Sequence, residues 1–201
     1  MIAVFWLSIV LLAYTYVGYA LIIRALARRR TGHAESALTP PLTVVIAAYN
    51  EASRIAARVR NVLEQDYPAQ NLSVIVVSDG STDGTEHAAA IDDPRVRVIA
   101  LAQNGGKAVA VNAALESVQT EFVVFTDARQ RFAPDALKRL LAPFADAHIG
   151  AVSGELEIVE NFSDADRPPN PAPIGLYWRM EKSLRDGEAG LGWLHGVSGA
   201  I

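Results

Sequence analysis

The chain opens on an unbroken apolar stretch and then changes period. Residues 2–23 are 22 positions without a formal charge, about 33 Å as a helix, enough to cross the hydrocarbon core of a bilayer. Phe5, Trp6, Tyr14, Tyr16 and Tyr19 punctuate this stretch, and Arg24, Arg28, Arg29 and Arg30 follow it. Basic residues gather on the cytoplasmic flank of a membrane span, so the N-terminus is expected outside and the remainder in the cytoplasm. A cleaved signal peptide carries its positive charge before a shorter apolar core. Here the charge comes after a long one, so residues 1–30 read as a retained single-pass anchor. Residues 31–41 (TGHAESALTPP) are polar, end in two prolines and read as a linker.

From Leu42 onward, short apolar runs alternate with helical periods. LTVVIAAY is a short β-branched run, LSVIVVSD a continuous apolar run of the buried-strand kind, and VRVIAL and EFVVFTD read as a third and a fourth strand. A fifth strand is expected over IGAVSGELEIV, residues 149–159. Between them, EASRIAARVRNVLEQ places Ile55, Val59, Val62 and Leu63 on one helical face. Asp83 with Glu86 three residues later has the spacing of a capping box opening a short helix. GKAVAVNAALESV reads as a helix, and Pro134 with Asp135 starts another running to about Phe144. Residues 174–186 (IGLYWRMEKSLRD) are amphipathic and helical in pattern. This alternation predicts an α/β domain over residues 42–201, with a mainly parallel sheet flanked by helices. Ligands of such sheets bind at the carboxyl ends of the strands.

Composition narrows the function. The chain is 51% hydrophobic and 20% charged, which excludes a disordered chain, and with no cysteine there is no thiolate metal site or Cys nucleophile. The net charge of −4 conceals an asymmetry: residues 1–30 carry four Arg and no acid, leaving −8 on the rest. An acidic soluble part argues against a nucleic-acid partner.

Polar residues follow the strands. After the first stand Tyr49, Asn50 and Glu51, suited to an aromatic base and its hydrogen-bonding edges, or simply to a strand end with an Asn helix cap. After the second, SDGSTDGT begins with Asp79. Asp79, Ser81, Asp83 and Gly84 match the first positions of a calcium loop, but position 12 is Ala90 rather than Glu. A plain Gly/Asp turn is the other reading. Gly105-Gly106-Lys107 opens a helix whose N-terminus suits an anion; the spacing is not that of a P-loop, since Ala108 stands where Ser or Thr is required. Asn112 is a polar position within that helix. Asp127 ends the fourth strand, where an unpaired charge is costly, so a metal, a ligand or Arg129 is expected beside it. His33, His87, His148 and His195 lack ligand spacing. Asn71 and Asn161 match glycosylation acceptors only formally if the domain is cytoplasmic.

LTVVIAAYNE, VVSDGSTDGT, NGGKAVAVNAAL, FVVFTDARQRFAPDAL and AVSGEL, in this order, resemble the donor-binding half of family 2 glycosyltransferases with the Rossmann-like GT-A fold. The resemblance covers about residues 42–160 and weakens through YWRMEKSLR to HGVSGAI. The membrane helix is similar to that of polysaccharide-synthesising members. The resemblance implies donor-binding roles residue by residue: Tyr49 and Glu51 near the nucleobase, Asp79 on the base edge, Lys107 by the nucleotide. Asp127 answers to the first acid of an Asp-x-Asp motif that holds ribose, diphosphate and a divalent Mg or Mn ion.

The sequence departs from that pattern at Arg129, which stands where the second acid belongs. Either Asp127 holds a metal with ligands from elsewhere, or Arg129 offsets diphosphate charge. The family's catalytic base lies beyond the region matching HGVSGAI, so none is assigned and the chain reads as an N-terminal fragment that binds donor without transferring sugar. The expectation is a cytoplasm-facing, inverting transferase moving a sugar from a nucleotide-linked donor, UDP by resemblance, to a glycan or lipid acceptor. A noncatalytic nucleotide-sugar-binding subunit and a nucleotidyltransferase are the rivals.

Overall fold

The structure is a computed structural model describing residues 2–27, 39–154, 159–160, 170–171 and 176–192. Expectations resting on residues 28–30 and 31–38, His33, residues 155–158, Asn161 and residues 195–201 lie outside the described residues. The chain divides into two compact units, one formed by Met1–Gly32 with Glu157–Val197 and the other by His33–Leu156 with Ser198–Ile201.

In the first unit, α1 (Ile2–Ala13) and α2 (Tyr19–Ala27) are joined through one widened π-helical turn, Tyr14–Gly18, giving a continuous helix over Ile2–Ala27. It is long and apolar enough to cross a membrane. The absence of charge before Arg24 leaves apolar groups on every side, with Val4, Phe5, Trp6 and Leu7, spread around the helix, all exposed.

The second unit is built on four parallel strands: β1 (Leu42–Ala48), β2 (Leu72–Asp79), β3 (Val96–Leu101) and β4 (Phe122–Asp127), in the order β3-β2-β1-β4. Between them run α3 (Ala52–Leu63), α4 (Thr85–Ala89) and α5 (Lys107–Leu115), and α6 (Ala136–Leu141) follows β4. Successive strand residues face opposite sides, and β1 and β2 are apolar on both. Val44, Ile46, Val74 and Val76 pack under Ile55, Val59 and Val62 of α3 and Leu137 and Leu141 of α6. Val45, Ile75 and Val77 meet Ala110 and Ala114, one turn apart on α5, whose small side chains let that helix lie close to the sheet. Each such buried aliphatic side chain contributes roughly 1.5–3 kcal/mol.

The first unit is completed by β5 (Val159–Glu160), antiparallel to β6 (Asn170–Pro171), and α7 (Leu176–Gly190). α7 packs on α2: Tyr19 Oη donates to Glu188 Oε1 at 2.6 Å, and a Cβ on Gly187 would come within 2.4 Å of Ile23 Cγ2.

Two local expectations are corrected. The strand expected over 149–159 is absent from residues 149–154; among its described residues, Val159 lies in a ladder. Gly150 and Gly154 offer no side chain to pack, and Val152 reaches the core without strand pairing. The expected capping box does not form either. Asp83 Oδ1 accepts from Thr85 N at 3.0 Å, whereas Glu86 receives Ser78 Oγ at 3.4 Å and pairs with His87.

Candidate donor-binding site

β2 and β3 step away from β1 on one side, and the chain then returns to place β4 on the other. That reversal opens a crevice at the carboxyl ends of β1 and β4. The ladder aligns Ala47 with Asp127 and Ala48 with Ser78, so the residues after β1, β2 and β4 emerge together. The fold brings Tyr49, Glu51, Asp79, Lys107, Asp127 and Arg129 to this one end of the sheet. Tyr49 is half exposed there.

Glu51 is 5% exposed and ties two loops together. Its Oε1 accepts from Arg129 Nε at 2.6 Å and its Oε2 from Arg54 Nη1 at 3.2 Å. The hydrogen bond and charge of Glu51 hold the Arg129 guanidinium still further above its ordinary pKa, so Arg129 stays charged at any working pH. The backbone of Glu51 is fixed as well: its N–H donates to Thr85 Oγ1 at 2.9 Å, and that hydroxyl donates to Asp83. Asp83 Oδ2 also accepts from Ala52 N at 3.0 Å, so it caps α3 as well as bonding Thr85. These bonds to its ionised form hold the Asp83 carboxyl below the usual carboxylate range. Asn50 is not the helix cap. It adopts a positive φ of 54° and its Oδ1 accepts from Thr82 N at 2.9 Å.

Asp79 is 4% exposed. Its Oδ1 accepts from Gly105 N and its Oδ2 from Gly106 N, both at 2.8 Å. The carboxylate therefore shapes the loop that presents Lys107. Gly80 completes the arrangement: at φ +64° its Cα lies so near the neighbouring loop that a Cβ would stand 2.3 Å from Asn104 N. A glycine is required there for conformation and for space.

Asp127, expected beside a metal, a ligand or Arg129, bonds Lys107 Nζ through Oδ1 at 2.6 Å. The fold family implies a divalent ion at this point. Asp127 is one carboxylate already holding an ammonium, Arg129 occupies the place of a second acid, and Glu51 holds two guanidiniums. Among the described residues there is no group of three His, Asp or Glu side chains placed to hold a metal. In this arrangement the residues do not fit a divalent cation.

Arg54, Arg58 and Thr85 also belong to the site, and sequence reasoning missed them. Arg58 is 3% exposed on α3. Its Nη2 donates to Thr126 Oγ1 and its Nη1 to Asn61 Oδ1, both at 2.7 Å, and its guanidinium lies 3.9 Å from the centre of the Phe132 ring. Burial lowers its pKa to about 10, opposed by the charge of Asp127. The signal was available: Arg58 follows Ile55 by three and precedes Val62 by four, a charge within the apolar stripe.

At the opposite, amino-terminal ends of the strands lies an apolar cavity of about 270 Å³ lined by Thr39, Pro40, Phe122, Leu141 and Phe144. It holds none of the expected site residues.

The family model described as "Glycosyl transferase family 2" matches residues 43–199. The chain belongs to glycosyltransferase family 2. It is similar to the succinoglycan biosynthesis protein ExoO of Rhizobium meliloti (strain 1021), at 34% identity over 135 residues, covering 63% of this chain and 38% of that protein. An N-acetylglucosaminyltransferase of Bradyrhizobium elkanii is 34% identical over 122 residues, covering 58% of this chain and 66% of that one. Among solved structures, the mannosyltransferase PcManGT from Pyrobaculum calidifontis, in complex with GDP-Man and Mn²⁺, superposes with a TM-score of 0.64 at 34% identity. That match covers 72% of this chain and 45% of the mannosyltransferase. The family 2 chain described here thus spans between about two-fifths and two-thirds of these three proteins.

Proposed function

We propose that this chain forms the membrane-anchored donor-binding part of a glycosyltransferase that takes a sugar from a nucleoside-diphosphate donor. The observation that carries this reading is the convergence, at the β1/β4 crevice, of an exposed Tyr49 ring with two built ion pairs, Arg129–Glu51 and Lys107–Asp127. A ring for the base and cations for a diphosphate are what such a donor requires. The relatives' names, an N-acetylglucosaminyltransferase and a GDP-mannose-bound mannosyltransferase, support the same class of donor.

In this reading Tyr49 and Glu51 lie by the base, with Asp79 holding the adjoining loop and offering its remaining lone pairs to the base edge. Lys107, Asp127 and Arg129 lie by the ribose and diphosphate. A glycan or lipid hydroxyl attacks the anomeric carbon as its bond to the diphosphate oxygen breaks, inverting the centre. Negative charge grows on the leaving nucleoside diphosphate, and cations fixed in place beforehand stabilise it. Helix Ile2–Ala27 spans the membrane, and the arginines after it keep the site on the cytoplasmic face.

Calorimetry on the full chain in detergent micelles, with UDP, GDP and their sugar conjugates, tests the reading. Binding of at least one nucleoside diphosphate, weakened by Lys107→Ala, is the expected result. Failure of all of them to bind would sink it. So would release of pyrophosphate from a nucleoside triphosphate, which would favour nucleotidyl transfer.

A further inference from the structure

Resting on that donor reading, we infer that the chain holds the diphosphate with a fixed arginine clamp, Arg129 locked by Glu51 with Arg54 alongside, and needs no divalent cation to do so. Three observations lead there. The first is the residue exchange itself: a guanidinium where the family motif has a carboxylate changes the local charge by two units. That equals the charge a divalent ion would otherwise supply.

The second is that Arg129 is built into place rather than loose on the surface. Its side chain is 74% exposed, yet its Nε is fixed at 2.6 Å to a carboxylate that is only 7% exposed. The backbone of that glutamate is held in turn, its N–H donating to Thr85 Oγ1 and that hydroxyl to Asp83. Only Nε is engaged among the described residues, so both Nη groups are left to donate. A guanidinium presenting two N–H groups to a phosphate gives a bidentate contact, the strong form of this hydrogen bond.

The third is the charge balance of the crevice. Arg54, Arg58, Lys107 and Arg129 stand against Glu51, Asp79, Asp83 and Asp127, equal in number, so what decides is where each acid is already engaged. The nearby carboxylates of Asp79 and Asp83 each accept two backbone N–H bonds. Arg58 matters most here, because its hydrogen-bond partners are the neutral Thr126 and Asn61, and its charge lies beneath the end of β4 uncancelled by a bonded acid. With Asp127 bonded to a lysine, Glu51 to two arginines, and Asp79 and Asp83 to backbone N–H groups, the crevice offers a divalent cation no free pair of carboxylates, while its guanidiniums attract a diphosphate.

The test uses the full chain in micelles, with UDP and GDP as probes, uridine and guanosine as their uncharged controls, and Mn²⁺ alone. The nucleoside diphosphate that binds should do so equally well in EDTA and in Mn²⁺. Mn²⁺ alone should leave the free-ion paramagnetic resonance signal unchanged. Arg129→Gln should weaken diphosphate binding about tenfold or more, the effect of losing a charge-assisted hydrogen bond, and leave nucleoside binding unaltered. Arg54 remains beside Glu51 in that variant, so its fold is retained. Diphosphate binding that requires Mn²⁺, or an Arg129→Gln protein of unchanged affinity, overturns the inference and leaves the donor reading standing. Absence of diphosphate binding with and without Mn²⁺ overturns both.

Discussion

Asp79→Asn separates shaping of the loop from contact with a donor. The side chain keeps its size and stays in the same buried place, but one of its two acceptor oxygens becomes an NH₂ group. That group then faces a backbone N–H that had been 2.8 Å from a carboxylate oxygen. One charge-assisted bond is lost, about 1.5–3 kcal/mol, and an amide donor is left buried without an acceptor. The loss falls on the loop, because the two amides belong to Gly105 and Gly106, immediately before α5. Local opening of that loop should become easier by the same amount. Hydrogen exchange followed by mass spectrometry on the full chain in micelles, without nucleotide, should show these amides exchanging roughly ten- to a hundredfold faster. Asp83→Asn is the control. It should speed exchange at Ala52 and Thr85, whose N–H groups Asp83 accepts, and leave Gly105 and Gly106 as they were. If Asp79→Asn is folded and the exchange of Gly105 and Gly106 is unchanged, the carboxylate does not hold the loop and the reasoning fails.

Other expectations follow from the same geometry. Gly80→Ala places a Cβ 2.3 Å from the backbone of Asn104 at a left-handed φ; the conformation alone costs about 1–2 kcal/mol, so a clearly lower urea midpoint is expected and an unchanged one counts against the close approach. The Asp93 carboxyl is held at about 2 by hydrogen bonds from the side chain and backbone of Arg95. A lowered carboxyl stabilises the fold above its ordinary pKa and loses that contribution as pH falls toward the folded value. Asp93→Asn should therefore lower the urea midpoint at pH near 6 and match the parent near pH 2, and a gap of equal size at both pH values would refute the assignment. Arg58→Met should reduce UDP affinity while sparing uridine, since it removes charge beneath β4 rather than a base contact; equal losses for both ligands would mean that Arg58 serves packing alone.

What could be read from the sequence divides according to the range of the force involved. β1, β2 and β4 were legible because each is a run of apolar residues, many of them β-branched, with buried positions facing a helix, while the half-buried β3 was legible from its alternation of Val and Ile with Arg97 and Ala100. The α3 stripe of Ile55, Val59 and Val62 was legible for the same reason, and all three are fully buried. The segment after Ile149 was misread because an apolar count does not register that two glycines leave a strand with too little to pack. Charge partners were harder still. Asp83 has a spacing suited to Glu86, but the N-terminus of α3, reached only after the chain has folded β2 beside β1, offers it a backbone N–H instead. Asp127 and Arg129 are two residues apart and opposite in sign, which made them natural partners on paper. Each instead pairs across the crevice, with Lys107 20 residues earlier and Glu51 78 residues earlier. The β1/β4 register decides the Glu51–Arg129 pair, since aligning Ala47 with Asp127 carries the residues after both strands to one level. The motif was visible in the sequence, but the choice of counter-charge belongs to the sheet. That choice separates a surface arginine from one fixed at the mouth of a nucleotide site.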